Sequence, residues 1–349
     1  MFEFFEYLLR QEELALIQVE DLVKKYETHP VINHLSFTVE KGQIYGFLGP
    51  NGAGKSTTMN IITGYIAANS GTVKINGFDI LKEPEKAKQC IGYLPEVPPL
   101  YTDMTVREYL LFVAELKKVP KKERKSHVEE IAERTQLGDV KDRLIRNISK
   151  GYKQRVGLAQ ALIGNPEILI LDEPMVGLDP KQIIEMRTLI KGLAKDHTVI
   201  LSSHILSEVS AVCDHIMIIS SGKLVASGSP QELQEMMHGR TELEIVAIGT
   251  KEQAEDVLQK IDGIGSYEIG LGDDDDSVRI LVQTDSEKDM RKSLSLALAE
   301  AGLAILSMNR AEKSLEDIFL ELTKSEMVFV EDSEDRMDEK EESGDVSDL

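Results

Sequence analysis

Residues 49–57, GPNGAGKST, set three glycines, a lysine and two hydroxyls between an apolar run, QIYGFL, and a helical one, STTMNIITGYI. Glycines let backbone N–H groups come close to an oxyanion, and the start of a helix adds a favourable dipole. Lys55 is expected to reach the β- and γ-phosphates of ATP, and Ser56 to offer its hydroxyl to Mg²⁺. Gly49, Pro50, Asn51, Gly52, Ala53, Gly54, Lys55, Ser56 and Thr57 therefore read as a phosphate cradle. The competing reading, a Gly-rich structural turn, is disfavoured by the strand–loop–helix setting.

Asp172 closes the short apolar run ILIL, where a carboxylate can serve Mg²⁺. Glu173 follows it and is placed to polarise an attacking water. Two acids at the end of a buried strand are costly unless a cation or a water network uses them. His204 ends the next apolar run, TVILSSH, so adjacent parallel strands bring it beside Glu173. A lone histidine is usually a satisfied neutral side chain; its place at the carboxyl end of a strand favours a functional role here. A third cluster, ISKGYKQR at 148–155, again combines a hydroxyl, a glycine and cations. The chain thus carries two loops suited to phosphate, and the first already has a full cradle.

Elements must hold these groups in place. LIQVEDLVK alternates as a strand does, and HLSFTVEKGQIYGFLG gives two more strands around a Lys-Gly turn. GTVKINGFDI is a strand with a turn at Asn76 and Gly77. From about Leu100 to Gly164 the spacing becomes helical. Its cationic stretch at 117–125 reads as a solvated helix face. PEILILDEP and HTVILSSH are nearly all apolar, as strands covered on both faces of a parallel sheet are, with helices near 180–195 and 205–213. After Arg240, TELEIVAIGT, SVRILVQTD and LAILSMN read as strands, with helices near 251–261, 286–301 and 314–323. Asp273 to Asp276 read as an exposed acidic hairpin tip.

The 349 residues suffice for two domains, and 42% hydrophobic with 29% charged residues is an ordinary globular composition. A formal charge of −21 disfavours nucleic acid and direct adhesion to anionic lipid. From Glu326 onward eleven acids face two bases, which is −9 of that total. Such a tail buries too little to offset its ordering entropy and is expected to be disordered. Cys90 and Cys213 are the only cysteines, which fits a reducing compartment. No run is long enough to span a bilayer, and MFEFFEYLLR is too short and acidic for a secretory signal. That segment puts Met1, Phe4, Phe5, Leu8 and Leu9 on one helical face, better suited to docking on protein than to lipid.

Together these motifs resemble the ATP-binding subunit of a bacterial ABC transporter, exporter type, over about residues 16–323. The resemblance implies an α/β P-loop NTPase core with a mixed sheet and a helical signature subdomain, then a small α+β domain and the acidic tail. The boundaries expected are 1–14, 15–240 with the helical part at about 96–164, 241–325 and 326–349. ISKGYKQR resembles the family's signature loop, which caps the ATP held by the other subunit of a dimer. On that resemblance Ser149 and Gly151 serve the partner's nucleotide, Tyr26 stacks on adenine with Val31 nearby, and Asp179 of GLDP reaches across the interface. His204 matches the switch histidine that contacts the γ-phosphate. IGYLPEVPPLY, at 91–101, occupies the Q-loop and the start of the groove that receives the permease.

Three positions depart from the pattern. Lys150 replaces a glycine, Tyr152 stands at a glutamine position, and Glu96 stands where glutamine is usual. Two negative charges about 4 Å apart repel by roughly 4 kcal/mol at an effective dielectric near 20, so Glu96 cannot face the γ-phosphate unshielded. Direct ligation of Mg²⁺, beside Ser56 and Asp172, is the expectation; a turn toward a cation of the permease is the alternative. The implied function is ATP hydrolysis, with Glu173, His204 and Lys55 catalytic, in a homodimer or a heterodimer with a similar subunit. It would work on the cytoplasmic face of the membrane, bound to a permease, without nucleic acid. The rivals are a soluble ATP-driven switch on chromosomes or ribosomes, and a non-hydrolysing ATP sensor. Proteins of the first kind carry a long coiled coil or two nucleotide domains, and neither appears in this sequence; Glu173 with His204 argues against the second.

Overall fold

A computed structural model describes residues 15–236, 241–272, 276–284, 290–311 and 319. The amphipathic start, most of the acidic turn at 273–276, the last expected helix apart from Phe319, and the acidic tail lie outside the described residues. The chain divides into two compact units, the first running to Pro230 and the second beginning at Gln231. The change of composition comes later, after Arg240.

In the first unit, β1 (Ala15–Tyr26) and β2 (His29–Glu40) form a hairpin. β1 also pairs antiparallel with β4 (Ser70–Ile75), and β4 with β5 (Phe78–Asp79). Alternation explains the hairpin: Ile17, Val19, Leu35 and Val39 are buried, while Thr38 and Glu20 face out. The second sheet has the order β10-β9-β3-β8-β7-β6. Its central strands β3 (Ile44–Leu48), β7 (Ile168–Leu171) and β8 (Thr198–Ser203) are buried at every position. They pair in parallel, so burial on both faces accounts for their unbroken apolar runs. β6 (Ile91–Leu94) and β9 (His215–Ser220) extend the parallel set, and β10 (Lys223–Gly228) closes it antiparallel. Side chains of both sheets share one core, where the Phe37 and Phe47 rings lie 5.5 Å apart.

Helices follow the strands that matter most. α1 (Lys55–Ile62) starts at Gly54, whose φ of 101° is one that residues with a side chain rarely adopt. α2 (Pro84–Gln89) precedes β6. α3 (Val106–Leu116) opens on a capping box made by Thr105 and Glu108 and packs with α4 (Arg124–Arg134). α5 (Lys150–Leu162) is buried along most of its length and lies against β6. The approach is close: a Cβ on Gly92 of β6 would overlap the Ala161 carbonyl oxygen. α6 (Pro180–Leu193) connects β7 to β8, α7 (Leu206–Ser210) follows β8, and α8 (Pro230–Met236) follows β10.

The second unit is a four-stranded antiparallel sheet, β12-β13-β11-β14, with two helices. Its strands are β11 (Thr241–Ile248), β12 (Ile264–Leu271), β13 (Ser277–Thr284) and β14 (Ala304–Ala311). α9 (Lys251–Leu258) and α10 (Arg291–Glu300) bury Ala254, Leu258, Leu294 and Leu298 against Leu243, Ile245, Ile280 and Val282. The sequence reading had three of these strands and lacked β12, whose exposed, glycine-containing run hides its alternation.

Candidate functional site

The parallel order of β3, β8 and β7 puts three chain turns side by side at the carboxyl ends of the strands. The glycine loop leaves β3, Asp172 and Glu173 leave β7, and His204 leaves β8. Between them lies a cavity of about 290 Å³ lined by Val31, Asn51, Gly52, Gly54, Lys55, Ser56, Thr57, Glu96, Glu173, Val176 and His204.

Lys55, Ser56 and His204 are each held by a neighbour. The Lys55 ammonium donates to the carbonyls of Gly49 at 2.8 Å and Pro50 at 3.2 Å, and stands 3.5 Å from Glu173 Oε1. Ser56 Oγ donates to Asp172 Oδ1 at 3.2 Å. His204 Nδ1 faces Glu173 at 3.0 Å from Oε2, which leaves Nε2 as its outward nitrogen. Burial raises the Asp172 carboxyl above the usual carboxylate range, opposed by the hydroxyls of Ser202 and Ser56. A metal cation beside it would reverse that effect.

Ser202 holds the two acids together and escaped the sequence reading. Its hydroxyl donates to Asp172 Oδ1 at 2.6 Å and accepts from the Glu173 backbone N–H at 2.8 Å. The bond fixes Glu173 in a left-handed backbone conformation, φ 46°, a costly state at which a surrounding network must hold the chain. The only signal for it was a small hydroxyl two places before His204, and its partner depends on the register of β7 against β8.

The donor set suits Mg²⁺ with nucleotide. Among the described residues no three His, Cys, Asp or Glu side chains gather into a metal cage. One hydroxyl and one carboxylate at 3.2 Å, beside a phosphate loop, match an ion that takes most of its ligands from water and phosphate. Glu96 lines the same cavity as Ser56 and Glu173.

Other expected residues stand apart. Tyr26 is not among the lining residues; it ends β1 opposite His29, 49% exposed, with the Lys24 ammonium 5.2 Å from its ring centre. It is a presented ring rather than a core one. Ser149 and Gly151 begin α5, outside the cavity, where Ser149 Oγ accepts from the Tyr152 N–H at 3.4 Å. Asp179 caps α6 by accepting from the Gln182 N–H at 2.9 Å, so its carboxylate is engaged within its own chain. Residues 91–94 of the expected Q-loop segment are the strand β6, and Ile91, Tyr93, Pro95, Val97 and Pro99 help line a second cavity of about 660 Å³ with Tyr65, Lys88, Lys117 and Gln160. Tyr65 and Val97 there are 81% and 79% exposed.

Comparison with known proteins extends these observations. The model of the family described as ABC transporter matches residues 32–176. The chain is 36% identical over 310 residues to the bacitracin transport ATP-binding protein BcrA of Bacillus licheniformis, covering 88% of this chain and 97% of that one. It is 34% identical to the linearmycin resistance ATP-binding protein LnrL of Bacillus subtilis, covering 88% and 98%. Among solved structures it resembles an ATP binding subunit of an ABC transporter, with TM-score 0.59 and 30% identity, over 64% of this chain and 94% of that one. It also resembles the ADP conformation of an ATP-binding cassette, with TM-score 0.57 and 29% identity, over 63% and 92%.

Proposed function

Since the chain belongs to the ATP-binding subunits of ABC transporters, the ATPases of ATP-driven transport, we propose that two copies of it close around two ATP molecules and drive a separate membrane permease. The observation that carries the chemistry is the Ser202 hydroxyl, which locks Asp172 and Glu173 side by side facing Lys55, Ser56 and His204. Lys55 turns from the loop carbonyls to the outer phosphates when ATP enters. Mg²⁺, held by Ser56 and Asp172, would neutralise charge on the phosphate oxygens. Glu173 takes a proton from the attacking water, and His204 holds that carboxylate through Nδ1 while Nε2 meets the γ-phosphate. Tyr26 stacks on the adenine beside Val31. Ser149, Gly151 and Asp179 act on the nucleotide of the partner subunit.

On this reading the permease docks at the second cavity, supported by the exposed Tyr65 and Val97, and the subunit works on the cytoplasmic face of the membrane. Among the described residues no helix is long and apolar enough to cross a membrane. Export is the favoured direction, in keeping with relatives named for bacitracin transport and linearmycin resistance. Affinity-tagged chain, extracted in mild detergent, is expected to co-purify with a protein of several membrane spans. Recovery with ribosomes or chromosomes instead would support the soluble switch.

Glu96 belongs to the metal on this reading. Glu96→Gln is then expected to raise the Mg²⁺ concentration for half-maximal hydrolysis severalfold in the subunit alone, since one charged ligand becomes neutral. A titration of ATPase rate against Mg²⁺ measures it. An unchanged requirement would leave Glu96 to the permease.

A further inference from the structure

Behind the turn that carries His204 lies a buried acid with no part in the site described above. Glu208, in the first turn of α7, is 5% exposed, and its side chain makes one hydrogen bond among the described residues: Oε2 accepts from the Ser203 hydroxyl at 2.9 Å. The dipole at a helix start favours an acid there, yet α7 has only five residues, and a buried carboxylate is costly without hydrogen bonds. Ser203, itself 1% exposed, supplies the one it has. While donating to Glu208, that hydroxyl accepts from the Ile205 backbone N–H at 3.1 Å, and the Ser203 carbonyl accepts from the Gly49 N–H at 3.4 Å. His204 is the middle residue of the tight link from Ser203 to Ile205, and its ring faces Glu173 at 3.0 Å. A serine hydroxyl has one proton, and giving it to Glu208 turns a lone pair toward the Ile205 N–H. α7 is a firm base for this bond. Val209, next to Glu208, is buried against β3, where a Cβ on Gly46 would overlap its Cγ1, and Arg187 of α6 donates to the Ser207 carbonyl at 3.3 Å. Successive residues of β8 thus divide the work: Ser202 holds the two acids, Ser203 is held by Glu208, and His204 comes next in line.

We propose that Glu208 is a positioning residue for ATP hydrolysis: through the Ser203 hydroxyl it fixes the turn that aims His204 at Glu173 and at the γ-phosphate. The inference rests on the reading of His204 given above as the γ-phosphate contact. Without Glu208 the hydroxyl is free to turn away, the Ile205 N–H loses its acceptor, and the histidine is no longer delivered to one fixed place. The effect belongs to turnover rather than to ATP binding, because Lys55 and Ser56 make their hydrogen bonds without Glu208. What the carboxylate supplies is an acceptor and not a charge, so an amide in its place serves as well.

The test is steady-state ATP hydrolysis by the full chain with variants at 203, 204 and 208, read together with hydrogen exchange of the Ile205 amide. Glu208→Leu is expected to lower kcat by about ten- to a hundredfold, the range for a displaced catalytic group, with KM for ATP within about twofold of the wild type. Ser203→Ala removes the same bond from its other end and is expected to fall as far. Glu208→Gln keeps an acceptor for the hydroxyl and is expected to stay within about threefold of the wild type. Exchange of the Ile205 amide is expected to quicken at least about tenfold in Glu208→Leu and to hold in Glu208→Gln, with the amides of β3 and β7 unchanged. A wild-type kcat in Glu208→Leu overturns the proposal. So does a glutamine variant as slow as the leucine one, which would make the charge rather than the hydrogen bond the point. Faster exchange spread equally over β3 and β7 overturns it too, since Glu208 would then serve only the packing of α7. Should Glu208→Leu fail to fold, Ser203→Ala and Glu208→Gln decide by the same measures. If His204→Ala keeps the wild-type rate, the histidine reading falls and this inference with it; an impaired His204→Ala beside an unimpaired Glu208→Leu removes the glutamate alone.

Discussion

Glu173→Gln is expected to lower ATP turnover by roughly 10²–10⁴-fold while leaving ATP bound. The two side chains have the same shape, so the Ser202 hydroxyl still accepts from the backbone N–H at 173, and an amide oxygen still faces His204 Nδ1. What disappears is the proton acceptor. The ion pair of Glu173 with Lys55, 3.5 Å long between two buried groups, disappears with it and leaves the ammonium free for phosphate. ATP affinity therefore holds or rises, and the closed dimer accumulates. Steady-state phosphate release and sedimentation in ATP measure the two halves of this result. A variant that hydrolyses at the wild-type rate removes Glu173 as the base.

The second large effect appears when two inactive subunits are mixed. Lys55→Ala empties the glycine loop of its only buried cation, and Ser149→Arg drives a long side chain into the start of α5. Each is expected to be inactive alone. A heterodimer of the two has one site built from an intact glycine loop and an intact signature loop, and one site with neither. Random exchange makes about half of the dimers mixed, so roughly a quarter of the wild-type activity returns. No recovery, with heterodimers demonstrated by differently tagged subunits, would mean that each site is complete within one chain.

How far the sequence carried the site depended on how local the information was. The glycine loop, Asp172, Glu173 and His204 are each bounded by their own apolar run, so their places at strand ends were legible from neighbours alone. The structure brings them together because β3, β8 and β7 are adjacent, which a parallel α/β reading already implies. Ser202 was not legible. Its role depends on which residue of β8 lies level with Asp172, and only the pairing of the strands decides that. The same limit hid Lys150 against Gly177, a contact between two loops with no sequence pattern in common. Strands β6, β10 and β12 were not legible for a different reason: each contains glycine, β6 is only four residues long, and β12 is mostly exposed. Tyr26 illustrates a third case, because hairpin alternation fixes a strand but not how far its last ring stands into solvent.

The packing of α5 has a mechanical consequence. A helix of 13 residues is about 20 Å long, and this one runs from the Ser149 cap to the second cavity, which Gln160 helps to line. Near its end it touches β6 at Gly92, and Gln160 lines the second cavity, while Lys117 donates to the carbonyls of Ala161 and Ile163. Near its middle it is clamped to α6 through Arg155 and Glu185. With Val156, Leu158, Ala159 and Leu162 buried between these points, the helix cannot stretch or bend to absorb a push. On the proposed function it would behave as a rod, carrying a tilt imposed by the permease near Gln160 toward Ser149 at its other end. On that reading the stiffness of one element would gear transport to hydrolysis, and softening it would let the ATPase idle.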